Sequence, residues 1–166
     1  APSPSCSEKK TATARAAAAR CTSPTSRPAT SAPTRSWAAA YPREAFAFNS
    51  VGLAAWGLGQ YEQAVAPLRE SLRLDPRFIP PTSNLTATLT ALNQFDEAST
   101  VLAGARAVGI DHIALRREAY LLAFIDNDPT GMGRELDAAL AMPEGPLATG
   151  WAPRIAACGG QIEQAH

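Results

Sequence analysis

A block of six residues returns at a fixed distance along this chain, and that distance limits the fold more than any other feature. Leu58, Gly59, Gln60, Tyr61, Glu62 and Ala64 reappear as Leu92, Asn93, Gln94, Phe95, Asp96 and Ala98, each pair 34 residues apart. The same offset pairs Val51 with Leu85, Leu68 with Leu102 and Ser71 with Ala105. Asp75-Pro76 closes one copy, and Tyr41-Pro42 stands 34 residues before it. A period of this length, with apolar residues at helical spacing, marks a helix–turn–helix unit. Such a unit cannot bury its apolar face alone and so stacks on its neighbours. The expected fold is therefore all-α: a right-handed solenoid of antiparallel helix pairs.

With Gly52 as the frame marker, the repeats fall at 45–78, 79–112 and 113–146, and a truncated fourth occupies 147–166. In the first, helix A is expected over about 44–58 and helix B over about 62–74. Gly52, Ala64 and Ser71 are small and are assigned to the close crossing. Phe48, Val51, Leu58, Tyr61 and Leu68 are assigned to the packing between. Leu85, Leu89, Leu92, Phe95, Ala98, Leu102 and Ala105 repeat the scheme, and Pro80 and Pro81 open the second helix A, where no amide donor is needed. The third repeat is looser: Met132 falls at the place of Ala64 and Ala98, with Leu136 and Ala139 as later core positions. Gly160-Gln161-Ile162-Glu163-Gln164-Ala165 nearly copies Gly59 to Ala64, so a fourth helix A is expected near 148–159.

Residues 1–36 are different material. They are Ala, Ser, Thr, Pro and Arg with no large apolar residue before Trp37, and six basic residues face Glu8 alone. Such a segment cannot offset its conformational entropy by burial, and a disordered tail is expected. Two origins fit its vocabulary, a reading-frame change in a GC-rich gene or a natural linker. Residues 37–44 read as the remnant of an upstream repeat. The missing initiator Met points to a fragment or a processed chain.

The 34-residue block, its small-residue positions and its closing prolines resemble the tetratricopeptide-repeat family over residues 41–166. Tyr41-Pro42-Arg43-Glu44, Asp75-Pro76 and Tyr120 to Phe124 followed by Met132 are more narrowly similar to the C-terminal repeat arrays of bacterial serine/threonine protein kinases. The resemblance implies a protein–protein interaction scaffold that holds a peptide or partner surface in a groove lined by the A helices. By the same carry-over, the groove residues are Phe46, Asn49, Leu53 and Trp56 from the first repeat. Ser83, Asn84, Ala87 and Thr90 come from the second, and Arg117, Leu121 and Phe124 from the third. An asparagine at position 84 suits both an amide and a carbonyl of an extended peptide, and Trp56 and Phe124 suit apolar anchoring. The alternative is that the chain is the detached regulatory arm of a multi-domain enzyme such as a kinase. The bacterial cytoplasm is the compartment the resemblance favours.

Other chemistries find little support. No glycine-rich nucleotide loop and no kinase catalytic motif is present, so an enzyme is not expected. Residues 37–166 carry nine arginines against fourteen acids, which argues against a nucleic-acid ligand. Cys6, Cys21 and Cys158 have neither zinc nor redox spacing, and no cofactor is expected. Asp126 to Asp137 imitates a calcium loop, but Pro129 and Arg134 spoil it, and the period places Asp128 as the cap of a helix B. The sequon Asn84-Leu85-Thr86 falls mid-helix with Leu85 in the core. A basic clamp for a peptide carboxylate has only Arg117, with Glu118 beside it. The longest apolar run, Ala119 to Ile125, is too short to span a membrane. Self-association through the uncapped ends is a further expectation.

Overall fold

A computed structural model of the chain describes residues 44–158, without the side chains of residues 156–158. The expected tail, the remnant over 37–43 and the last turn of the fourth repeat lie outside these residues. Seven α-helices and one 3-10 turn are found among the described residues, and no strand. They are α1 (Ala45–Gly57), α2 (Tyr61–Leu74), α3 (Ile79–Ala91), α4 (Phe95–Ala107), α5 (Ile113–Ile125), α6 (Pro129–Leu140) and α7 (Trp151–Cys158), with the 3-10 turn at Gly145–Ala148. The first helices of the three pairs start at residues 45, 79 and 113, and the second helices at 61, 95 and 129. Each step is 34 residues.

The turns explain why the frame repeats so strictly. Gly59, Asn93 and Asn127 all adopt positive φ, at 72°, 61° and 55°. These are the residue types that enter the left-handed region at least cost. Each sits just past the end of an A helix. The next amide then folds back on the helix: Gln60 N–H donates to the Ala55 carbonyl at 2.9 Å, Gln94 to Leu89 at 2.8 Å and Asp128 to Ala123 at 2.8 Å. This is the Schellman closure, which satisfies carbonyls that the helix end would leave bare.

The described residues fall into two compact units, 44–115 and 116–158. In the first, α1 packs on α2, α2 on α3 and α3 on α4, while α1 also lies beside α3. Gly52 makes the α1–α2 crossing possible, because a Cβ there would overlap the buried Leu68 side chain. Ala64 and Ser71 are fully buried at the same crossing, and the Ser71 hydroxyl donates to the Ala45 carbonyl at 2.6 Å. Ala98, Leu102 and Ala105 take the matching places on α4. Helix α3 buries Thr82, Thr86, Thr88 and Thr90, an unusual load of hydroxyls. Each donates to the carbonyl four residues earlier, at 2.7–3.2 Å, so none is left unpaired in the core.

Some assignments differ from the sequence reading. Leu58 caps the end of α1 and is 39% exposed, because the helix ends before it can turn that side chain inward. In α6 the buried residues are Gly131, Glu135 and Ala139, while Met132 and Leu136 are only half-buried. Gly131 is held against Asp128 and Ala123, and the first two turns bury residues one position earlier than expected, whereas Ala139 is buried at its expected place. Helix α7 begins at Trp151 rather than near 148. Gly145 lies so close to the Leu140 carbonyl that a Cβ would not fit, and the chain tightens into the 3-10 turn before the helix starts.

In the second unit, Arg116 of α5 pairs with Glu135 of α6 at 3.0 Å. Tyr120 of α5 packs its ring against Trp151 of α7, with centroids 5.5 Å apart. Burial raises the Tyr120 phenol above its ordinary pKa.

Candidate functional site

The expected contact residues of α1 stand at positions 46, 49, 53 and 56, a spacing that puts them on one helix face. Phe46 is 53% exposed and Leu53 46% exposed on that face, an unusual degree for large apolar side chains in a helix that is otherwise well buried. Phe46 also meets the ring of Phe78, just before α3, with centroids 6.5 Å apart. The repeat frame aligns Phe78 with Glu44 and His112, so it carries no signal for this residue.

Asn84 reaches the same face from α3. Its Nδ2 donates to Asn49 Oδ1 at 2.9 Å, which ties the two A helices together. Two polar atoms of this couple are left, Asn49 Nδ2 and Asn84 Oδ1. Asn49 is buried, at 6% exposure, and Asn84 is half-buried, so the outward polar capacity of the couple is that of Asn84, whose oxygen and second N–H are not used in the bond. Ala87, one turn along from Asn84, is half-buried and keeps the seam low.

Trp56 ends the row. Its ring stands edge-on to Tyr61, with centroids 6.4 Å apart, and its Nε1–H is buried without an acceptor. Among the described residues it is the one buried side-chain nitrogen or oxygen found in that condition. Leaving such a donor unpaired costs roughly 1–3 kcal/mol, so its presence calls for an explanation.

Not all the expected residues are presented. Ser83 and Thr90 are buried in α3, and the Thr90 hydroxyl is committed to the Thr86 carbonyl at 2.8 Å. Arg117, Leu121 and Phe124 belong to the second compact unit. Leu121 is buried there and Phe124 half-buried. Arg117 is exposed and bound to Glu118 at 2.6 Å, so its charge is answered within its own helix.

Sequence reasoning set Glu118 in the groove beside Arg117 and overlooked Glu135, and both are buried carboxylates. Glu118 is 3% exposed and Glu135 2%. Glu135 aligns in the period with Pro67 and Val101, and a carboxylate in that place reads as a surface residue. The available signal was Arg116-Arg117-Glu118, a run of charge in a helix that is otherwise almost wholly apolar.

Asp128 Oδ1 accepts from the Gly131 amide at 2.9 Å, and Pro129 opens α6, so the calcium-like stretch is a capped turn. His112 Nδ1 accepts from the Ala114 amide at 3.2 Å and caps the start of α5 in the same way. Among the described residues no group of three His, Cys, Asp or Glu is placed to hold a metal. No described helix is long and apolar enough to cross a membrane. No protein-family model matches the chain, and no match exists among curated proteins or solved structures.

Proposed function

We propose that the chain is an interaction module of the tetratricopeptide type, which binds a protein or peptide partner along the face shared by α1 and α3. The observation that carries this reading is the Asn49–Asn84 couple. Asn49 is buried between the exposed side chains of Phe46 and Leu53, and the half-buried Asn84 amide keeps its oxygen and its second N–H for an outside partner. A main-chain amide group offers the reverse set, one carbonyl and one N–H. The strict spacing of the helix pairs supports the same reading, since stacked pairs present their A helices side by side.

The test is affinity capture with the purified chain as bait, followed by titration of whatever is recovered. A saturable partner should be captured by the parent and released by Asn84→Ala, with a loss of roughly tenfold in affinity. A partner held equally well by the parent and the Asn84→Ala variant would place the binding surface elsewhere.

A further inference from the structure

Charge is distributed between the helices of the first compact unit in an unequal way. Helices α1 and α3, AFAFNSVGLAAWG and IPPTSNLTATLTA, contain no Asp, Glu, Lys, Arg or His. Helices α2 and α4 carry Glu62, Arg69, Glu70, Arg73, Asp96, Glu97 and Arg106. Those charges largely answer one another: Arg69 pairs with Glu97 across the two helices, and Arg73 with Glu70 at 2.7 Å. At the edge of the α1–α3 face stand Glu44 and Arg77, and the Arg77 guanidinium is turned to the Val108 carbonyl at 3.4 Å. The face itself is therefore a neutral strip inside a charged molecule.

We propose that this strip takes an uncharged stretch of polypeptide, held through its main chain and an aliphatic or aromatic side chain, and discriminates against charged segments. The inference rests on the peptide-binding reading above and names the class of peptide. Two physical arguments carry it. An ionised side chain laid on the strip would lose hydration and find no opposite charge in α1 or α3 to replace it. An apolar side chain would instead cover the exposed part of Leu53 and remove apolar area from water. A peptide main-chain group has a receptor already in place in the half-buried Asn84 amide, whose oxygen and second N–H are not used in the bond to Asn49. That amide is uncharged. From Phe46 to Leu53 the helix rises about 10 Å, a distance that an extended chain covers in about three residues. A short segment is enough to reach both.

The experiment uses the full chain and three sets of fluorescent synthetic peptides, each about ten residues long, with blocked ends. One set is uncharged and rich in aliphatic and aromatic residues, one carries Asp and Glu, and one carries Lys and Arg. Anisotropy is read at about 50 and 500 mM salt. The expected result is binding to uncharged peptides at least roughly tenfold tighter than to either charged set, with little change across the salt range. Leu53→Glu, at an exposed position that does not disturb the core, should abolish the preference, while Arg73→Ala on the outer side of α2 should leave it intact. Preference for a charged set, weakened by salt but still lost in Leu53→Glu, would overturn the inference and leave the peptide-binding face standing. Absence of binding by every set would overturn both. Binding to uncharged peptides that Leu53→Glu does not affect would also overturn the inference, since the strip would not be the surface involved.

Discussion

Where α1 crosses α2 and α3 crosses α4, the buried groups are small or neutral: Gly52, Ala64 and Ser71, then Thr86, Ala98 and Ala105. The hairpin of α5 and α6 keeps the same 34-residue spacing yet buries two carboxylates, Glu118 and Glu135, beside Arg116 and Arg117. One backbone frame therefore tolerates two kinds of interior. In the first, helices are located by close approach and added volume is the hazard. In the second, they are located by directed charge pairs and a lost partner is the hazard, because a buried ion without its counterion cannot recover its hydration. The exposed chemistry follows the same division. Position 84 is an amide that leaves hydrogen-bonding capacity outside, whereas the matching position 118 is a carboxylate turned inward.

The largest effect is expected where charge is buried. Arg116→Met strips Glu135 of its closest cation and should cost about 3 kcal/mol, held to that level by Arg134, whose Nε lies 3.6 Å from Glu135. Hydrogen exchange should then show α5 and α6 losing protection while α1 to α4 keep theirs. Adding Glu135→Leu should return the stability to within about 1 kcal/mol of the parent. If the double variant is no better than the single one, the pair is not acting as an ion pair and the contrast between the two interiors fails.

Bulk is the matching test of the first interior. Ala64→Leu should overpack the α1–α2 crossing and lower stability by roughly 1–3 kcal/mol. A thermal melt identical to the parent's would show that this crossing is not close-packed.

A smaller difference separates the turns. Asp128 caps α6 with its side chain, whereas Gln60 and Gln94 at the matching places make no side-chain cap bond. Asp128→Ala should cost about 1 kcal/mol and Gln60→Ala or Gln94→Ala less than about 0.5 kcal/mol. Equal losses in urea unfolding at all three turns would erase the distinction.

The smallest effect concerns Tyr120, whose burial favours the neutral phenol in the folded state. A raised folded pKa means that its contribution is present below the ordinary tyrosine range and lost as the pH climbs through the folded value. Alkaline titration should show a tyrosinate component lagging behind free tyrosine, and Tyr120→Phe should remove it. A titration with no lagging component would place Tyr120 in water.

The helix frame was readable because it is carried by residue types with few alternatives. Only small residues fit at 52 and 64, and Gly or Asn recurs at 59, 93 and 127, where the backbone turns left-handed. The Asn49–Asn84 bond was not readable, since it joins residues of two helices and depends on which turns of α1 and α3 lie opposite each other. Glu118 and Glu135 were not readable for another reason. A carboxylate's usual place is the surface, and only its partners can make burial tolerable. The shifted burial in the first two turns of α6 and the 3-10 turn at Gly145–Ala148 depend on close contacts of Gly131 and Gly145, which leave no periodic mark in the chain.

The left-handed turns at Gly59, Asn93 and Asn127 also bear on how quickly the chain finds its fold. Each is closed by hydrogen bonds that span no more than five residues, from Gln60 to Ala55, Gln94 to Leu89 and Asp128 to Ala123. Loop closure over so short a stretch sacrifices little entropy. Each helical hairpin is therefore expected to nucleate without waiting for distant partners, the local route that favours fast folding.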